Sequence, residues 1–162
     1  MAYTAESYPA FEGSAVIPGK KFLLYVAYGE KWNLVGGMRD TGLSISSESI
    51  DGSCKDDGGW GSSAPGIRNW SSSSSLVAKK TNEGDGIIEN WVMDESLQTD
   101  KPALRFAFVN TVDKSYYDGW GVVNSYNIES SHTDVMTKSI EIAGCGAIVK
   151  KAAFDKETLG AA

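Results

Sequence analysis

Apolar and polar residues alternate along most of this chain, and where the alternation stops, glycines, prolines and short polar turns take over. The run KFLLYVAY (21–28) reads as a strand, followed by a turn at Gly29 and a short strand KWNLV (31–35) that Gly36-Gly37 breaks. In GLSISSESI (42–50), Leu43 and Ile45 fall on one face and Ser44, Ser46 and Glu48 on the other. NWSSSSSLVA (69–78) places Trp70, Ser72, Ser74 and Leu76 on one side and Ser71, Ser73 and Ser75 on the other. Its serine run also suits a flexible linker. A strand is the better reading, because Trp70 and Leu76-Val77 bracket the serines in phase. ALRFAFVN (103–110) puts Leu104, Phe106 and Phe108 together.

Two long strands close the pattern. In 116–131, Val122, Tyr126 and Ile128 lie on one side and Val123, Ser125, Asn127 and Glu129 on the other. In 134–144, Met136, Ile140 and Ile142 oppose Thr137, Ser139 and Glu141. One segment has a helical period: after Asp85, placed to cap it, Ile88, Trp91 and Val92 recur at i, i+3, i+4, and Pro102 lies beyond its end. The set predicts a mainly β fold, an antiparallel β-sandwich or barrel with one flanking α-helix, a long β-hairpin loop and extended termini. It divides into an N-terminal arm (1–20), a β-sandwich domain (21–149) containing a long loop (52–67) and the helix (85–97), and a C-terminal tail (150–162).

Composition narrows the function. The chain has 162 residues and a net charge of −6, with no basic cluster of the kind that neutralises nucleic-acid phosphates. No stretch is long and apolar enough to span a membrane. The first residues lack the basic start and apolar run of a signal peptide, so a cytoplasmic site of synthesis and reduced Cys54 and Cys145 are expected. The loop DGSCKDDGGWG tempts a calcium reading. Its acids do not follow the spacing of a calcium loop, Cys54 is a soft ligand, and no Glu closes it. Its glycines do not open a helix, against a phosphate cradle. The single histidine, His132, sits in a predicted turn with only Asp134 nearby, too little for a nucleophile–base–acid set. The expectation is no enzyme, no metal and no cofactor. Trp60, Trp120 and Tyr116-Tyr117 leave a carbohydrate-binding β-sandwich as the alternative of a different class, with core or interface packing the simpler use of these rings.

The alternation also selects a peculiar surface. Four strands share a face of small polar residues and occasional acids: Ser44, Ser46, Glu48; Ser71, Ser73, Ser75; Ser125, Asn127, Glu129; and Thr137, Ser139, Glu141. It contains no Lys or Arg, and Lys138 falls on the opposite side. Soluble surfaces ordinarily mix both signs. A plain solvated sheet face is one explanation. The other is a surface that stays wet and weakly repels polyanions.

At this point the chain resembles the major tail-tube proteins of long-tailed bacteriophages. The resemblance rests on the ordered set of an early FLLYV strand, GLSISSESIDGSCKDDGGWGSSAPGIRNWSSS (42–73), GIIENWV (86–92) and YYDGWGVVNSYNIESSHTDVMTKSIEIAGCGAI (116–148). It covers most of 21–149, while the five-serine run and Cys54 depart from the family pattern around the loop. The resemblance implies a non-catalytic subunit of hexameric rings that stack into a tube, with strands of six subunits joined in one barrel around a lumen that conducts DNA from capsid to host. It implies lumen-facing roles for the acid-only face, and contact with the neighbouring ring for Asp56, Asp57, Gly58, Gly59 and Trp60. It also implies self-association, tape-measure, tail-terminator and baseplate or tip proteins as partners, DNA that passes without specific binding, assembly in the host cytoplasm and a place in the virion tail. The tube of a contractile injection system resembles these proteins in fold and is the related alternative.

Overall fold

The structure, a computed structural model, describes residues 17–159. Most of the expected N-terminal arm therefore lies outside the described residues. After a 3-10 turn at Gly19–Lys21 come strands β1 (Phe22–Tyr28), β2 (Lys31–Leu34), β3 (Met38–Asp51) and β4 (Ser63–Val77). Helices α1 (Glu83–Met93) and α2 (Glu95–Asp100) follow, then β5 (Leu104–Asn110), β6 (Tyr116–Glu129), β7 (Thr137–Gly144) and β8 (Val149–Lys151). All strand pairs are antiparallel, in the order β2-β1-β5-β6-β7-β4-β3, with β8 also on β6.

The long β6 joins two half-sheets. Its first half pairs with β5 and β8, and its second half, from Gly121 onward, pairs with β7. The half-sheets fold against each other around Leu24, Val26, Phe106 and Phe108 from one and Trp70, Leu76, Ile140 and Ile142 from the other, with Ile88 of α1 closing the core. Phe108 meets the Trp70 indole edge-on, with ring centroids 6.0 Å apart. The predicted face of β4 holds: Trp70, Ser72, Ser74 and Leu76 are buried, and the intervening serines are more exposed. Ser72 tolerates burial because its Oγ donates to the Gly42 carbonyl at 2.7 Å.

A second, smaller core lies on the outer side of β1, β2 and β5. There the C-terminal tail packs Phe154 among Tyr25, Trp32 and Tyr116. As far as Leu159, the tail is neither a helix nor detached. Its Lys156 carbonyl accepts from the Trp32 amide at 2.8 Å, and its Leu159 carbonyl from Arg105 at 3.0 Å. Beneath it Arg105 forks onto Asp118 (2.9 and 2.6 Å), which also accepts from Lys151 at 2.7 Å. Burial opposes the Asp118 charge, but the hydrogen bonds from Arg105 and Lys151 outweigh it and hold the carboxyl below the ordinary carboxylate range.

Several expectations need correction. The helix is two: Asp94 ends α1 and its carboxylate caps α2 through Ser96 and Leu97. The cap of α1 is Asn82, not Asp85. The long loop is shorter than 52–67, because β4 starts at Ser63. The last long strand, expected over 134–144, begins only at Thr137 as β7, so Met136 leaves the core and is exposed, and β8 follows as a further strand. Ile45 is exposed because β7 pairs with β4 only from Ser71, which leaves the outer part of the β3–β4 hairpin unsupported.

Candidate functional site

The four strands predicted to share the polar face are neighbours, in the order β6-β7-β4-β3. Their registers set its residues in rows. Ser44, Ser71, Ala143 and Val122 form one; Gly42, Ser73, Glu141 and Ser125 the next; Asp40, Ser75, Ser139 and Asn127 a third; and Val77, Thr137 and Glu129 a fourth. Side chains directly opposite in such rows stand on one face of the sheet. None of these paired positions is Lys or Arg. Asn127 donates to Ser125 Oγ at 2.8 Å, and Ser75 Oγ to Asp40 at 3.1 Å, so polar neighbours satisfy one another without cations.

The structure changes this face in three places. A register shift between Val123 and Ser125 turns Val123 onto the core with Tyr126, so Val123 does not belong with Ser125, Asn127 and Glu129. Asp40 joins the face; its signal was the continued alternation Asp40, Gly42, Ser44, cut off by starting the strand at Gly42. Ser46 and Glu48 stand further out, on the part of the hairpin that β7 does not support.

The opposite side of β6 and β7 is sealed by α1, as the phase of Lys138 required. The Lys138 ammonium reaches Asp85 at 2.7 Å and Glu89 at 3.6 Å, and Tyr126 donates to Asp85 at 2.7 Å. Burial disfavours the Lys138 charge, but its hydrogen bond to Asp85 prevails and keeps it protonated well above the ordinary lysine range. Burial, then the bond to Asp85, raises the Tyr126 phenol. These ionic groups clamp α1 to the sheet and leave the polar face unlinked to the helix.

The hairpin beyond Ser71 is a two-stranded arm ending in residues 52–62. Lys55–Asp57 form a 3-10 turn, and Gly58 (φ 62°) and Gly59 (φ 89°) adopt left-handed backbone that favours glycine there. Ser53 and Ser62 tie the base together: the Ser62 amide donates to Ser53 Oγ at 2.8 Å. The Asp51 carboxylate accepts from Ser53, bonds that hold it below the usual carboxylate range. Trp60 is 83% exposed and Asp56 is exposed. Of the rings considered for sugar stacking, Tyr116 lies in the smaller core, and Trp120 is on β6, well apart in the sheet from the arm that carries Trp60. Thus the ring set does not form one platform.

Both long edges of the four-stranded half-sheet lack a strand partner among the described residues. β3 ends the strand order, and β5 pairs with β6 only as far as Gly121, leaving Val122–Glu129 open on that side. Exposed edges of this length template pairing with another chain.

No curated protein matches the chain in sequence. Solved structures do match in fold. The tail of an empty gene transfer agent particle, refined with C6 symmetry, superposes with a TM-score of 0.71 at 21% identity, over 83% of this chain and 98% of that one. The SPP1 tail tube gives 0.68 at 18% identity, over 87% and 82%. A chain of the PVC sheath-tube complex, from an extracellular contractile injection system, gives 0.61 at 12% identity, over 94% and 100%. In sequence, the phage tail tube protein family matches residues 16–150, and with most of its length so matched the chain belongs to that family.

Proposed function

We propose that the chain is the repeating subunit of a hollow phage tail tube, and that the acid-only face of β6-β7-β4-β3 lines its channel. The observation that carries this is the coincidence, on one half-sheet, of a cation-free polar face and two unpartnered edges. Pairing the β3 edge of one subunit with the second half of β6 in the next is a heterologous contact, which closes when the rotation between subunits suits a ring. Sixfold symmetry, as in the gene transfer agent tail, joins four strands from each of six copies. At about 4.8 Å between strands and a tilt of roughly 40°, such a barrel is on the order of 45–50 Å across its backbone. Side chains narrow this, and the remaining bore passes duplex DNA.

A bore lined by Ser, Thr, Asn and scattered acids offers phosphates no cation to dwell on. Glu129 and Glu141 lie in that lining, with Asp40 added, while Glu48 stands where the arm leaves the ring. The arm, with Asp56, Asp57, Gly58, Gly59 and Trp60 at its tip, extends to the neighbouring ring, where Trp60 gains burial. Tape-measure, terminator and baseplate or tip proteins are the partners of such a tube, and the virion tail is its place. Negative-stain microscopy with light scattering tests the reading: rings and tubes are expected. A monomer at every concentration that binds glycans contradicts it and favours the carbohydrate-binding alternative.

A further inference from the structure

Two exposed apolar patches lie at opposite ends of one strand pair. The first is on the arm, where Ile45, Ile50, Ile67 and Trp60 are all exposed. The second surrounds the β6–β7 turn, where Ile128 is 52%, Val135 49% and Met136 44% exposed. Lys79 and Lys80 follow directly on this second patch, because the Ala78 amide donates to the Met136 carbonyl at 2.9 Å. The segment 51–60 that carries Trp60 is net acidic, with Asp51, Asp56 and Asp57 against Lys55, whereas Lys79 and Lys80 are the basic residues beside the second patch, whose turn also carries Glu129 and Asp134. β4 connects the two ends with 15 residues. At about 3.3 Å per residue they are separated by roughly 50 Å. The patches of one copy cannot meet each other.

We infer that the arm tip docks on the β6–β7 turn of a second copy in the next ring, with Trp60 packing on Ile128, Val135 and Met136 and Asp56 facing Lys79-Lys80. This rests on the tube reading above and names the surface that receives the arm. The lateral edges of the half-sheet are consumed by ring closure, so the two strand ends remain for stacking. A contact between two different surfaces of one chain with no rotation that closes it propagates as a filament. An aromatic anchor entering an apolar patch beside complementary charges suits such a contact.

The test is a disulfide trap. Gly61→Cys and Thr133→Cys, exposed neighbours that leave Trp60 and the apolar patch in place, are combined in a chain whose Cys54 and Cys145 are replaced by serine, and assembled tubes are mildly oxidised. The expected result on denaturing gels is a ladder of covalent oligomers longer than six chains, absent from either single-cysteine chain. Tubes of normal length that give no ladder overturn the inference and leave the tube reading standing. Met136→Glu, at an exposed position, is expected to leave rings intact and reduce tube length at least tenfold. Unchanged length overturns the inference. Lys79→Glu/Lys80→Glu is expected to shorten tubes and Asp56→Lys to restore them in the combined variant. Tubes of the combined variant that stay as short as those of Lys79→Glu/Lys80→Glu, or Lys79→Glu/Lys80→Glu tubes of normal length, remove the charge pairing. If the unsubstituted protein makes no tube at all, the tube reading itself falls, and this contact with it.

Discussion

Trp70 lies in a slot that glycines keep open. A methyl group at Gly121 would meet Ile142 Cγ2 at 2.6 Å and the Trp70 ring at 3.0 Å, and one at Gly144 would collide with the indole itself. Gly144→Ala is therefore expected to destabilise the protein by about 1–3 kcal/mol, the usual range for overpacking a filled core. Gly19→Ala, where a methyl group meets nothing within 4 Å, is the control. Urea midpoints check both. Asp118 supplies the pH dependence. Its folded-state carboxyl is held below its ordinary value, so its contribution is present above about pH 4 and lost as pH falls through the folded value. Asp118→Asn leaves Arg105 and Lys151 without their carboxylate and is expected to cost about 3–5 kcal/mol at neutral pH. Urea unfolding followed down the acid limb should then lose that part of the pH dependence. Little of this was legible in the sequence. Arg105 and Asp118 are 13 residues apart and read as surface charges until the tail covers them. Trp70 and the glycines meet only through strand register.

At the scale of elements, alternation carried the strands well because period two is a local property. It placed Ser71, Ser73 and Ser75 opposite Trp70, Ser72, Ser74 and Leu76, and Lys138 opposite Glu141. It failed where one residue breaks the phase, as at the bulge before Ser125, since an inserted residue has no signature when both flanking residues are tolerated on either face. The helix was found, but its break at Asp94 was not, because a carboxylate inside a helical period resembles any exposed residue until it bonds Ser96 and Leu97. The three-residue β8 is too short for any periodicity. The α1 clamp gives a prediction at this scale. Lys138→Met strands the Asp85 carboxylate under the helix and is expected to cost about 3–5 kcal/mol, whereas Lys138→Met with Asp85→Leu is expected to recover most of that. Denaturation of the single and double variants decides it. Equal losses in both would mean the pair contributes only packing.

For the whole molecule, the candidate face was legible and its neighbourhood was not. Four separate alternations named the same kind of surface, and the strand order then brought them side by side. A long hairpin loop was legible, but that β3 and the second half of β6 are the open edges, and that the hairpin stands unsupported from Trp70 outward, was not, because pairing partners and unsupported strand lengths are properties of topology. In the proposed tube, Glu129→Lys or Glu141→Lys adds a cation to the bore. Both residues are exposed on the single subunit, so folding and assembly should be unaffected within about 0.5 kcal/mol. Each change provides a phosphate contact on every subunit of every ring. DNA ejection from virions carrying them should slow by at least tenfold at low salt and recover as salt screens the contacts. The same change at Glu48, where the arm leaves the ring, should slow it less. Normal ejection in all variants would remove these acids from the bore.

The most direct measurement is a helical reconstruction of tubes assembled from the purified chain by electron cryo-microscopy. Six copies per ring are expected, with a continuous inner barrel in which the outer edge of β3 pairs with Val122–Glu129 of the adjacent copy. Asp40, Ser73, Asn127 and Glu141 should point into the bore. A tube whose inner wall is formed by another face, or whose subunits meet without pairing these two edges, would contradict it.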